Sequence, residues 1–190
     1  GIIIYMNYLL LLSILYSWTS LVASSCVCTT VPCPISGENT LIEGVSGKGV
    51  YKYYNHNGQP VVLHAYATIT NEDLDNGSGT TSCTQDYSRM MDDENMECDA
   101  GHILANRLGG PGNQPINIFP QKPSVNRGIF ATFEETIYDC INTGKVTANL
   151  YWEFSYNNSS NTRPYQVYYN ASFSGSNCDS IEETFDNVGS

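Results

Sequence analysis

The sequence has few basic residues. Eight lysines and arginines stand against 19 aspartates and glutamates, and the formal net charge at pH 7 is −11. Proteins that hold nucleic acid over a wide surface need many cations to neutralise its phosphates. The composition therefore argues against a broad basic binding face, and any role on nucleic acid has to rest on a local site.

The sequence also lacks a long unbroken apolar run. The strongest run, residues 9–16, contains a serine, is followed by more serine and threonine, and is shorter than the roughly 20 residues that span a bilayer. We expect a secretory signal peptide over residues 6–25, because Ala23 and Ser25 occupy the −3 and −1 positions of a cleavage site. A membrane anchor is the alternative, and no Lys or Arg precedes the run. The predicted mature protein is secreted, extracellular and free of the membrane.

All the cysteines lie after the expected cleavage site, which is typical of an oxidising compartment. Seven cysteines predict three disulfides and one free thiol. A metal site is the weaker interpretation, since the first three cysteines have no matching second pair and no nearby histidine. Residues 26–49 are therefore predicted to form an irregular segment held by disulfides. The seven are Cys26, Cys28, Cys33, Cys83, Cys98, Cys140 and Cys178.

Four asparagines stand in glycosylation sequons, each with a serine two residues later. The sequons predict a glycoprotein in which these positions lie in exposed loops. They are Asn76, Asn157, Asn158 and Asn170.

The roughly 165 residues after the signal suffice for one domain, which we place at residues 50–190 after the irregular segment. Strands at residues 50–54 and 61–69 flank the turn dipeptide Asn57-Gly58, a hairpin pattern. The same pattern predicts that His56 lies at the surface of the turn and that His64 is half-buried in the second strand.

The later part of the domain mixes a loop, a helix and strands. Residues 71–93 are polar and predict a long loop, whereas apolar residues from Ile129 recur at helical spacing up to Gly144 at a C-cap position. Residues 146–154 and 164–173 again read as strands. The predicted fold class is α+β, an antiparallel sheet with one principal helix.

The residues that carry chemistry lie between the early strands and the helix. Gly101 allows a tight turn that presents His102, and a neutral imidazole with a pKa of about 6.5 is a suitable base near neutral pH. Asn126 and Glu134 are eight residues apart, and each step of four residues drifts only about 40° around a helix. Both therefore border one cavity, while Ile129, Phe133 and Ile137 are predicted to face the core.

This combination resembles the DNA/RNA non-specific endonucleases of the ββα-metal (His-Me finger) group. Their Asp-Arg-Gly-His motif matches residues 99–102, with Ala100 in place of the arginine. Their Asn-Ile-x-Pro-Gln, Asn-x-Gly and downstream Glu match residues 117–121, residues 126–128 and Glu134. A Gly-Gly-x-Gly stretch at residues 109–112 and Arg163-Pro164 fit one branch of the group, and the resemblance covers residues 49–187.

The resemblance implies a ββα-metal finger and a metal-dependent endonuclease that hydrolyses DNA, RNA or both with little sequence preference, and the predicted signal peptide makes it a secreted one. It implies that His102 activates water and that Asn126 binds the ion, Mg²⁺ or else Mn²⁺ or another divalent metal. It also implies that Asn117 helps to fix the site and that Glu134 holds the metal's water shell, and it counts Asp99, the first residue of the motif, with the catalytic residues.

The alanine at position 100 removes one cation near the phosphate. Arg107, Lys122 and Arg127 are the candidates to compensate by binding substrate, and each is as plausibly a solvated surface charge. Two alternatives stay open: a catalytically impaired nuclease fold that acts as a secreted binding or toxin-like protein, and a disulfide-rich binding module in which the histidine and asparagines are incidental.

Overall fold

The computed structural model describes residues 42–56, 59–94, 97–175 and 178–188. The predicted signal peptide and the first three cysteines lie outside these residues. No helix in the described ranges is long and apolar enough to cross a membrane.

The main element is a six-stranded sheet in which all neighbouring strands are antiparallel, in the order β1-β2-β3-β6-β7-β8. The strands are β1 (Ile42–Ser46), β2 (Gly49–His56), β3 (Gln59–Ile69), β6 (Thr147–Ser155), β7 (Gln166–Ser174) and β8 (Ile181–Asp186). Strict alternation of buried and exposed side chains, clearest in β6, gives the sheet one core face and one solvent face.

A smaller unit packs on the core face. It consists of the two-stranded sheet β4 (Asp99–His102) and β5 (Ile118–Gln121), followed by a helical stretch. That stretch contains α2 (Pro123–Val125), a π-helical turn (Asn126–Phe130) and α3 (Ala131–Gly144). Two strands followed by a helix form the predicted ββα finger, and the α+β fold class is confirmed.

One hydrophobic core joins the finger to the sheet. Trp152 and Tyr169 of the sheet, Phe119 of β5 and Ile137 of α3 are all buried in the same cluster. Aromatic rings make several of these contacts, with Phe130 against Phe185 at 4.7 Å and Trp152 against Tyr169 at 4.6 Å. The finger therefore packs on the sheet through a shared hydrophobic core, and the sheet supports its position.

The hairpin β2–β3, strands β6 and β7, and α3 agree with the sequence-based predictions. Two predictions of local structure are wrong, and one strand was missed. Residues 42–46 form the edge strand β1 within the segment predicted to be irregular. The predicted loop at residues 71–93 contains a 3₁₀ turn (Asn71–Asp73) and the helix α1 (Ser82–Met90). Strand β8 was not predicted.

Several side chains also differ from prediction. His56 is fully buried rather than at the surface, because its ring packs between Tyr54 and Tyr156 and Nδ1 donates to the backbone oxygen of Asn161. Asn170 lies half-buried in β7 and not in a loop. His64 is half-buried as predicted.

Two further differences concern the principal helix. Ile129, predicted to face the core, is 61% exposed. Gly144, predicted at the C-cap, is the last residue of α3. The C-cap is Lys145, which has a left-handed conformation and whose N–H bonds to the Ile141 carbonyl.

Cysteine pairing within the described residues agrees with an oxidised protein. Cys140 of α3 forms a disulfide with Cys178 just before β8, and Cys83 is also disulfide-bonded. Cys98 is a free thiol, half-buried ahead of β4. The finger helix is thus covalently tied to the end of the sheet.

Candidate active site

The finger hairpin places His102 at the end of β4. Asp99 pairs with Gln121 and His102 with Ile118 across the two strands. A side chain at Gly101 would lie 2.2 Å from Oε1 and 2.7 Å from Cβ of Gln121. Glycine is therefore required at position 101 for the strands to pair closely and to carry His102 to the rim of the finger.

The His102 ring is held in one tautomer. Its Nε2 lies 3.1 Å from the backbone oxygen of Ser78, which only accepts hydrogen bonds, so Nε2 carries the proton. Nδ1 is then left with the lone pair of a base. Burial lowers the pKa of His102 below its ordinary value of 6.5, against the opposing effect of the Ser78 hydrogen bond. The neutral, proton-accepting form is thus the dominant one at neutral pH.

Asn117 is a buried residue that hydrogen-bonds to the backbone near the site. Its Oδ1 accepts from the Leu104 backbone at 2.8 Å and from the Tyr51 hydroxyl at 2.7 Å, and its Nδ2 donates to the Leu104 and Pro111 carbonyls at 3.0 and 3.3 Å. The side chain is fully buried. Asn117 is not among the described residues that line the pocket. It acts through the backbone around Leu104, which agrees with the fixing role that the resemblance implies.

Asp99 fixes the orientation of the Asn126 amide. The carboxylate accepts from Asn126 Nδ2 at 2.9 Å and from Nε and Nη2 of Arg127 at 2.8 and 2.5 Å. Burial opposes ionisation, but the bonds from Arg127 and Asn126 hold the pKa of Asp99 below its ordinary value. A carboxylate only accepts, so the Asn126 nitrogen faces Asp99 and its Oδ1 is left for another partner. Asp99 is thereby a positioning residue for Asn126.

Glu134 contributes a buried oxygen. Oε1 is enclosed and makes no hydrogen bond to any residue that the structure describes, and burial raises the pKa of this carboxyl from 4.5 to about 8. A buried, unpartnered carboxylate oxygen is costly unless a cation or a donor compensates it. Glu134 Oε1 is therefore placed to interact with a cation or a hydrogen-bond donor in the pocket.

These side chains share one pocket of about 380 Å³. His102, Asn126 and Glu134 all line it, with Arg107 and Tyr138 among the other lining residues. Asn126 and Glu134 thus border one cavity, as the sequence predicted, and His102 lines the same cavity.

The oxygen donors of this pocket fit a hard divalent ion. An amide oxygen and a carboxylate are ligands that Mg²⁺ accepts, and Mg²⁺ usually keeps several of its waters. Within the described ranges there is no group of three or more His, Cys, Asp or Glu side chains that could enclose a metal. The pocket therefore suits an ion bound by few protein atoms and otherwise by water and substrate oxygens.

The three predicted substrate-binding cations differ in position. Arg107 borders the pocket, where its guanidinium stacks on Tyr138 at 3.8 Å and pairs with Glu135 at 3.2 Å. Arg127 lies beside Asn126 but is engaged by Asp99. Lys122 is not among the described residues that line this pocket and lies at the N-cap of α2.

Several supporting residues were missed from the sequence. Ser78 orients His102 from within a predicted loop, and Tyr51 holds Asn117 from β2. A side chain on Gly112 would lie 2.5 Å from His102 Nε2, and the Gly-Gly-x-Gly stretch was the one signal of that crowding.

A buried network supports the segment just before Asn126. Arg163 pairs with Asp92 at 3.0 Å and donates to the Asn187 carbonyl. The Asn187 side chain accepts from the Lys122 backbone at 2.7 Å and donates to the Pro120 carbonyl at 2.9 Å. The C-terminal residues thereby hold the end of β5, and only the Arg163-Pro164 dipeptide hinted at this in the sequence.

Comparison with known proteins gives a consistent result. The family model described as DNA/RNA non-specific endonuclease matches residues 39–172. A probable deoxyribonuclease RhsA from Dickeya dadantii (strain 3937) is 42% identical over 115 residues, which are 60% of this chain. The match takes in only 8% of that much longer relative.

Solved structures share the fold. NucA from Streptococcus agalactiae with magnesium bound matches 80% of this chain and 86% of its own, with a TM-score of 0.53 and 12% identity. The Sda1 nuclease with a bound zinc ion matches 73% of this chain and 77% of its own, with a TM-score of 0.55 and 17% identity. At these identities the likeness concerns the fold.

Proposed function

Since this chain belongs to the DNA/RNA non-specific endonuclease family, we propose that it is a secreted, Mg²⁺-dependent endonuclease that cleaves DNA, RNA or both with little sequence preference. One observation carries the proposal: a base, an oriented amide oxygen and an unpartnered carboxylate, from His102, Asn126 and Glu134, converge on a single pocket.

In the proposed reaction His102 is the general base. Nδ1 takes a proton from the attacking water, while Nε2–H stays on the Ser78 carbonyl and stabilises the imidazolium that forms. A positioned base of this kind contributes roughly 10²–10⁴ in rate.

Asn126 and Glu134 would hold the ion, with Asn126 Oδ1 as the direct ligand and Glu134 toward its water shell. The bound ion would stabilise the charge that develops on the phosphate and on the leaving oxygen. Asp99 keeps Asn126 turned for this purpose, and Asn117 keeps the β4 end of the finger in place. Contacts of this kind address the phosphate backbone and carry no base information, which supports low sequence preference.

Two observations support secretion. The Cys140–Cys178 disulfide and the bonded Cys83 are typical of proteins from oxidising compartments. The sequons at Asn76, Asn157 and Asn158 lie outside the strands and α-helices, as glycan acceptors usually do.

The proposal is tested by incubating purified mature protein with supercoiled plasmid and, separately, with a structured RNA, in Mg²⁺ and in chelator. We expect Mg²⁺-dependent nicking of at least one substrate, without a fixed cut site, and no cleavage in chelator. A folded protein that binds nucleic acid without cutting it would favour the impaired-nuclease alternative. Absence of both binding and cutting would favour the disulfide-rich binding module.

A further inference from the structure

Asn126 lines a second groove as well as the pocket that it shares with His102 and Glu134, here called the His102 pocket. Among the described residues, no other residue lines both cavities. This α1 groove, of about 300 Å³, is bounded by Gln85 and Arg89 of α1, Ala100 of β4 and Asn126. A neighbouring pocket of about 420 Å³ continues it past Arg89 to Arg127. The metal ligand of the proposed function thus stands where two open clefts meet.

Among the described residues, two guanidinium groups line these connected clefts together with the carboxylates of Asp92, Glu97 and Asp99. The two cations differ in how firmly they are held. Arg127 makes a two-armed pair with Asp99. Arg89 pairs with Asp86 at 2.7 Å, one helical turn away, and the two side chains are 62% and 76% exposed. An exposed pair between neighbours on one helix is weak in water. Breaking the Arg89–Asp86 pair therefore costs little free energy, and Arg89 can bind another anion in its place.

The α1 groove is also open where it meets Asn126. Two residues of β4 line it: Ala100 carries only a methyl group, and the Asp99 carboxylate is already bonded to Asn126 and Arg127. The pair with Asp86 uses Nη1 of Arg89. A backbone phosphate can accept two parallel hydrogen bonds from the same guanidinium, so it can replace this single contact with a bidentate one.

We propose that Arg89 binds a backbone phosphate of the nucleic acid, so that the strand runs from the His102 pocket across Asn126 into the α1 groove. The inference rests on the proposed function and adds the path of the substrate and a residue for it. Asp86 then competes with the substrate for the same guanidinium.

The test measures binding of a duplex DNA to the His102→Ala protein at fixed Mg²⁺ over a monovalent salt series. Adding Arg89→Ala is expected to weaken binding about three- to tenfold, the range for one exposed charged contact. It should also make the slope of log affinity against log salt shallower by about 1. Arg89→Lys should restore part of the affinity.

Matched variants separate a local contact from a change in net charge. Lys52→Ala removes one cation from the outer sheet face, where Lys52 lies over Tyr66, and should change affinity much less. Asp86→Ala should tighten binding because it frees Arg89, whereas Glu43→Ala on the edge strand β1 should not. Equal effects of Arg89→Ala and Lys52→Ala would overturn the inference.

Steady-state cleavage by the otherwise wild-type protein distinguishes the two proposals. Arg89→Ala should raise KM more than it lowers kcat. If the wild type cleaves and Arg89→Ala matches it in KM and in salt slope, the inference fails and the proposed function stands. If the wild type does not cleave, the proposed function fails, and the binding series still decides whether Arg89 contacts the strand.

Discussion

At the scale of single residues, the orientation of one amide decides what the pocket can bind. Asn126 would present either nitrogen or oxygen to the pocket if nothing constrained it. Asp99 removes the choice, because an ionised carboxylate takes the amide N–H and leaves the oxygen for the pocket. The motif's aspartate and the helix-start asparagine are therefore one functional pair.

Asn126→Ala is expected to raise the Mg²⁺ concentration needed for half-maximal nicking and to lower the rate at saturation, because the oriented oxygen is lost. Asn106 lines the same pocket, but no described residue hydrogen-bonds to its side chain to orient the oxygen as Asp99 orients that of Asn126, so Asn106→Ala should change the Mg²⁺ requirement much less. A Mg²⁺ titration of plasmid nicking compares the two. An equal shift in both variants would contradict the assignment of the metal to Asn126.

Glu134 links the proposed metal site to the stability of the folded protein. Its pKa in the folded protein is raised to about 8 from an ordinary 4.5, so the folded state keeps a proton that the unfolded state releases between these values. The metal-free protein should therefore lose stability as pH rises through that window. Glu134→Gln removes this loss, and in chelator at pH 8 it should melt above the wild type.

Thermal unfolding at pH 5 and pH 8, in chelator and in Mg²⁺, checks this prediction. The difference between wild type and Glu134→Gln cancels the opposite contribution of His102, whose lowered pKa favours folding as pH rises. Added Mg²⁺ at pH 8 should stabilise the wild type more than the variant. A variant that melts below the wild type in chelator at pH 8 would contradict the account of an uncompensated carboxylate.

Among the helices and strands, those with a regular spacing of apolar residues could be predicted from the sequence. The places where that spacing is interrupted could not. The β2–β3 hairpin and α3 carry apolar residues at the spacing of a strand and of a helix. Ile129 was misassigned because Gly128 has non-helical φ and ψ of −116° and −110° inside the π-helical turn. The turn shifts the phase by one residue, so Phe130 takes the core position and Ile129 faces solvent.

Helix α1 and strand β8 escaped prediction for a different reason. In α1 the buried residues include Thr84 and Ser88, which hydrogen-bond to the carbonyls of Gly112 and Asp99. In β8 only Phe185 is buried. Elements that pack through polar contacts or a single aromatic have no apolar stripe. The catalytic candidates were found because their motif is local, whereas Ser78 and Tyr51 reach the site only through tertiary contacts.

The loop containing Gly112 sets the position of His102. An added Cβ there would lie 2.5 Å from His102 Nε2, from the Ser78 carbonyl and from the Gly79 backbone. Gly112→Ala should therefore destabilise the protein by about 1–3 kcal/mol, as overpacking does. It should also lower kcat by displacing the ring.

Gly79→Ala is the matched control, because a Cβ at Gly79 meets nothing within 4 Å. Chemical denaturation and nicking assays of both variants check the prediction. If Gly112→Ala matched Gly79→Ala in stability and in rate, the loop would not be holding the imidazole.

At the scale of the whole molecule, the charge distribution limits how substrate is held. The net charge is −11, and three of the eight cations, Arg89, Arg107 and Arg127, lie at the pocket and its adjoining grooves. Arg163 is buried with Asp92 and is not accessible to substrate. In the proposed function, substrate capture would therefore depend on a small patch and on the bound ion.

Binding should for this reason lose affinity with salt less steeply than for a protein that contacts 6–10 phosphates. On duplex DNA each neutralised phosphate contributes about −0.9 to the slope of log affinity against log salt. Duplex binding by the His102→Ala protein at fixed Mg²⁺ gives that slope. A value steeper than about −6 would reveal a broad basic surface and contradict this account of capture.

The role of His102 Nδ1 as the base for phosphodiester hydrolysis is measured by the single-turnover nicking rate of His102→Ala at saturating Mg²⁺, with and without added imidazole. We expect a folded variant whose rate falls by roughly 10²–10⁴ and partly recovers with imidazole, because the base is restored within a pocket otherwise unchanged. A folded His102→Ala protein that nicks plasmid at the wild-type rate would contradict it.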